Sequence, residues 1–123
     1  MRLYRFTLLI QTIYYFATAA WALVDINSFM KITGPKTDVW LVKTVAVLLL
    51  AICVGFTVSL FSHIISKPVI AMAATCCLVL IIIDCYYVWT KTISKVYLLD
   101  AVAEFILLVL WIITGAKIVR RQK

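Results

Sequence analysis

Four apolar runs of about 19–23 residues leave this chain few ways to fold. They cover about 6–24, 39–61, 68–89 and 96–118. A helix rises about 1.5 Å per residue and needs roughly 20 apolar residues to cross a bilayer core of about 30 Å. Each run meets that length. Transmembrane strands would alternate apolar and polar residues over about ten positions, and these runs do not alternate. Composition agrees: 66% of the 123 residues are hydrophobic and 14% are charged. An ordinary soluble domain is about 45–50% apolar and about 25% charged. With 3 Gly and 2 Pro, a collagen-like or Pro/Gly-rich disordered chain is also excluded.

The expected architecture is all-α: a single transmembrane domain over 1–123, built as a four-helix bundle. Short links force consecutive helices to run antiparallel, up-down-up-down. The links are 25–38, with a turn at Gly34-Pro35, then 62–67, followed by Pro68 in a first helical turn, and 90–95. Arg2 and Arg5 before an apolar run resemble the start of a signal peptide. The run exceeds a signal peptide's apolar region, so an uncleaved first helix is expected.

The net charge is +7, from 12 Lys and Arg against 5 Asp and Glu. The basic residues stand singly or in pairs between apolar runs, and no aqueous domain remains to present a nucleic-acid face. They read as topology signals. Arg2, Arg5, Lys67, Lys117, Arg120, Arg121 and Lys123 fall on one side, and Lys31, Lys36, Lys91 and Lys95 on the other. This bias places both termini in the cytoplasm.

Cys53, Cys76, Cys77 and Cys85 lie in or at the end of apolar runs, with no CxxC. They read as small packing residues, not as a disulfide framework. A single histidine, His63, cannot complete a Cys/His zinc set, and no metal or cofactor is expected. There is no GxSxG, HExxH or Gly-rich phosphate loop, so no catalytic residue is assigned.

The acids carry the most information. Asp25, Asp38, Asp84, Asp100 and Glu104 all fall toward one end of the bundle, whichever way it inserts. Asp25 and Asp38 sit near the interface. Asp84, Asp100, Glu104 and Lys43 lie within apolar runs. An unpaired charge in the bilayer core costs on the order of 2.5–3.5 kcal/mol, so these four should face inward. Lys43 is the one buried cation expected, and it should pair with Asp84, Asp100 or Glu104. Three acids against one lysine leave a surplus of carboxyls.

Spacing supports inward faces. Asp100 and Glu104 are four apart, with Trp111 seven further on. Gln11, Tyr14, Thr18, Trp21 and Asp25 form a stripe on the first helix, and Cys77, Asp84 and Tyr87 one on the third. The candidate ligand-binding set is Asp84, Asp100, Glu104, Lys43, Asp25, Asp38, Tyr87, Trp40 and Tyr14. It would line an acidic, aromatic pocket open to the outer leaflet. Tyr14, Tyr15, Tyr86, Tyr87, Trp40, Trp89 and Tyr97 mostly read as interface anchors, and those near the acidic end can also line the pocket. A network of this kind can equally serve only to fix helix register, or to meet another membrane protein.

The strings TGPKTDVWLVKTV (33–45), IDCYYVW (83–89) and YLLDAVAEF (97–105) resemble small bacterial four-helix integral membrane proteins. The resemblance implies a bacterial inner-membrane location and no particular activity. Small multidrug exporters carry a membrane Glu in their first helix, where this chain has Gln11. The expected function is binding of a small amphiphile, lipid or cation by the acidic cluster. The alternatives are a homodimeric proton-coupled transporter and an accessory subunit of a membrane complex.

Overall fold

The computed structural model describes residues 2–34 and 37–123. Pro35, Lys36 and Met1 lie outside the described residues. The chain is all-helical, and its order is α1 (Arg2–Val24), α2 (Ile26–Thr33), α3 (Val39–Phe61), α4 (Lys67–Trp89) and α5 (Tyr97–Gln122). α1, α3, α4 and α5 are long and apolar enough to cross a membrane, which makes this a membrane protein with a helical-bundle fold.

The helix ends follow local chemistry. Ser66 caps α4, its side chain accepting from the Val69 N–H, and Pro68 stands in the first turn where a missing N–H costs nothing. Gly34 ends α2 at φ 101°, a backbone region that side chains disfavour. The 25–38 link therefore contains a short helix that the loop expectation did not include. Its signals are present in the sequence. Asp25 accepts from the Ser28 N–H at 3.1 Å, and Phe29 and Thr33 recur at helical spacing as the buried face.

The four long helices run up-down-up-down, as residue pairings show. Tyr4 meets Ser59, and the Cys53 thiol reaches the Thr12 carbonyl, so α1 and α3 are antiparallel. Gln11 meets Trp111 and Tyr14 reaches Asp100, so α1 and α5 are antiparallel. The closest packing joins α1 to α3 and α4 to α5, making two helix pairs that meet chiefly along α1.

α1 is the least apolar of the four and the most enclosed. Its inward face is Tyr4, Leu8, Gln11, Tyr15, Ala19 and Ala22. This face is turned from the expected stripe of Gln11, Tyr14, Thr18, Trp21 and Asp25, sharing only Gln11. Ala19 and Ala22 pack against Ala46 of α3, and small residues let helices approach closely. The bulky Trp21 is left at the edge, where its ring meets Phe29 of α2 edge-on.

Two apolar clusters result. The larger gathers Tyr4, Leu8, Tyr15, Cys53, Phe56, Ala73, Cys77, Leu107 and Trp111 from all four long helices. The smaller holds Ala19, Ala22, Phe29 and Ala46, from α1, α2 and α3 only. Beside the smaller cluster, α4 and α5 meet α1 through polar groups instead.

Candidate functional site

Those polar groups form a node where α1, α4 and α5 converge. Asp84 lies five residues before the end of α4, about 7.5 Å along the axis. Glu104 lies seven residues into α5, about 10 Å from its start. Asp84 is 4% exposed and Glu104 0%. Asp100 and Tyr14 are half-buried and stand nearer the acidic end of the bundle.

Two tyrosines hold the carboxyls. The Tyr14 hydroxyl donates to Asp100 Oδ1. The Tyr15 hydroxyl donates to Glu104 Oε2 at 3.0 Å. The carboxyls of Asp84 and Asp100 lie near one another, Asp84 on α4 and Asp100 in the first turn of α5. The Cys77 thiol, a weak donor, lies beside Glu104. All three acids are close enough for their charges to act on Tyr14.

The node is not fully satisfied. Asp84 Oδ2 and Glu104 Oε1 are buried and have no hydrogen-bond partner among the described residues. Orphaned buried acceptors are uncommon, and leaving one costs about 1–3 kcal/mol, more when charged.

Toward the bundle centre the node is closed by a second polar unit. The Trp111 indole N–H donates to Gln11 Oε1 at 2.5 Å. Gln11 Nε2 in turn donates to the Ala73 carbonyl at 3.2 Å. Gln11 and Trp111 are both fully enclosed. The indole has only a donor, and the amide is neither acid nor base at ordinary pH.

The structure brings together four of the nine candidate residues: Asp84, Asp100, Glu104 and Tyr14. The other five stand apart. Lys43 is exposed, and no ion pair joins it to an acid among the described residues. The physical reason is the arrangement of the pairs: α3 packs mainly on α1, which separates it from α5. Lys43, four residues into α3, is exposed, as long cationic side chains near span ends commonly are. Asp25 is exposed and caps α2. Asp38 is exposed at the start of α3, without a side-chain cap bond. Trp40 is 65% exposed and Tyr87 41%, and Tyr87 stacks edge-on with Tyr86.

Asp84 and Glu104 are enclosed, and the rings of Tyr14 and Tyr15, 6.2 Å apart, belong to the same node. Tyr15, Gln11, Cys77 and Trp111 belong to the node or its floor, yet none was among the candidates. Their signal was the run Tyr4, Leu8, Gln11, Tyr15 at helical spacing on α1, opposite Glu104, Leu107 and Trp111 on α5.

No family model matches the chain, and neither the curated proteins nor the solved structures contain a significant match.

Proposed function

We propose that this protein binds a small organic cation, or the cationic head of an amphiphile, at the Asp84–Asp100–Glu104 node. The observation that carries the reading is the pair of enclosed carboxyl oxygens, Asp84 Oδ2 and Glu104 Oε1, that lack a partner. A protonated amine would supply the missing N–H donors and the missing positive charge together. The faces of Tyr14 and Tyr15 would favour a cation further, by about 0.5–2 kcal/mol each. Among the described residues no three His, Cys, Asp or Glu side chains are grouped as a metal ion would need, which favours an organic cation over a metal.

Entry is from the acidic end. There the two helix pairs meet through hydrogen bonds rather than a shared apolar cluster, and Asp100 and Tyr14 are the members nearest the surface. An arriving ammonium group would compete with protons for these carboxyls. Binding and proton release would then be linked, and this gives the proton-coupled transport reading its support. Passage to the other end is opposed by Gln11 and Trp111, so binding is the stronger reading. The proposed setting is a bacterial inner membrane with the basic end cytoplasmic.

The test is native mass spectrometry after gentle extraction, followed by titration with hexylammonium while Trp fluorescence is read. The expected result is a retained amine in the native protein, and a hexylammonium response lost in Glu104→Gln. A bare protein that gives no response to hexylammonium overturns the reading. A stoichiometric protein partner in place of the amine overturns it in favour of an accessory subunit.

A further inference from the structure

The opposite end of the bundle has the reverse chemistry. All five acids belong to the node's end or its loops. At the other end, the 62–66 link runs between two surface clefts. One, about 150 Å³, is lined by Tyr4, Arg5, Ser62, His63, Ile64 and Ile65. The other, about 170 Å³, is lined by Ile65, Lys67, Ile118, Arg121 and Gln122. Ile65 is the wall common to both.

We propose that these clefts seat the phosphate groups of anionic phospholipids, independently of what the acidic node binds. Three observations support this. First, the clefts sit where the helices leave the bilayer. α5 is 26 residues long, about 39 Å, so its last turns rise beyond a core of about 30 Å to the level of lipid headgroups.

Second, basic side chains enter both clefts and no acid faces them. Arg5 spends one N–H on the Leu60 carbonyl, at 2.9 Å, which fixes the guanidinium against the end of α3 and leaves its other donors free. Lys67 and Arg121 have no side-chain partner among the described residues. Basic pockets between transmembrane helices are a recurring headgroup site.

Third, each volume suits a phosphate with part of its glycerol, not a whole drug-sized ligand. Apolar side chains stand next to them for acyl chains: Phe61 is 80% exposed and Ile64 74%. The floor of the first cleft is rigid, because the buried Tyr4 hydroxyl bonds Ser59 at 2.8 Å and accepts from the Ser66 N–H.

The experiment compares retention of phosphatidylglycerol and phosphatidylcholine by the full chain, extracted from vesicles holding equal amounts of each and read by native mass spectrometry. Phosphatidylglycerol should be retained preferentially. The double variant Lys67→Gln/Arg121→Gln should weaken that retention roughly thirtyfold, since each basic residue near an anionic lipid contributes about a factor of five. Both residues are exposed, so the fold should persist, and circular dichroism checks this. The control Lys91→Gln/Lys95→Gln, at the acidic end, should retain the lipid as the native chain does. Equal retention of both lipids overturns the proposal, as does an equal loss in both double variants. Thermal protection by inorganic phosphate alone, with no lipid retained, overturns the lipid assignment in favour of a soluble phosphate.

Discussion

The basic and acidic halves of the bundle are held together differently. In the basic half, Leu8, Phe56, Ala73, Leu107 and Trp111 interlock all four long helices in one apolar cluster. In the acidic half, the apolar cluster of Ala19, Ala22, Phe29 and Ala46 stops at α1, α2 and α3. There α5 reaches α1 through bonds from Tyr14 to Asp100 and from Tyr15 to Glu104, with Asp84 of α4 buried at the same end. Close packing resists separation at every point, since each displaced side chain leaves a void. A hydrogen-bonded joint can part and re-form with a different partner. The fixed half thus suits a hinge and the polar half suits a mouth, which is where the unpartnered oxygens lie.

The sharpest challenge to this contrast is Trp111→Ala. It removes the largest side chain of the shared cluster and orphans Gln11 Oε1. It should cost about 3–5 kcal/mol, read by denaturant or thermal unfolding in detergent. A cost below that of every node variant would mean that the basic half is not the anchor.

Glu104→Ala comes next. It leaves the buried Tyr15 hydroxyl unpaired and opens a small cavity, for about 2–4 kcal/mol. Glu104→Gln keeps an acceptor for Tyr15 and removes a charge, so its stability should stay within about 1 kcal/mol of native while amine binding is lost. If both variants destabilise equally, the node is a structural network and not a binding site.

Gly34→Ala should cost about 1–3 kcal/mol, because φ 101° is strained for a side chain. An added Cβ would also stand 3.4 Å from Ser94 Cβ, in the link after α4. Faster hydrogen exchange at the acidic ends of α4 and α5 in this variant, with the basic ends unchanged, would sharpen the contrast between the halves. The smallest effect belongs to Lys43→Gln, expected within about 0.5 kcal/mol of native stability. A larger loss would show that Lys43 does reach a carboxyl.

The long helices were legible because four runs of about twenty apolar residues admit one architecture. On α5 the face was legible too: Glu104 and Trp111 are seven apart and both point inward. α1 was harder. Its sequence mixes polar and apolar residues all round, and the face was settled by which residues were small enough to meet α3, namely Ala19 and Ala22. The pairing of Lys43 with an acid failed for a different reason. Charge arithmetic says that a lysine and an acid should meet, but not which helices are neighbours. The order in space, with α1 between α3 and α5, is a property of packing that no single helix encodes.

The bond between Gln11 and Trp111 spans 100 residues of chain. Translation at about 5–20 residues per second separates the two partners by about 5–20 s. In a chain entering a membrane as it is made, α1 would arrive first with Gln11, Tyr15 and two threonines on a face that has nothing yet to meet. α3 can cover only part of that face, where Ser59 meets Tyr4 and the Cys53 thiol meets the Thr12 carbonyl. The nascent α1–α3 pair therefore carries Gln11 and Tyr15 without the partners that α4 and α5 supply. A chain truncated before α5 would display, in lipid, the polar groups that the finished bundle keeps inside.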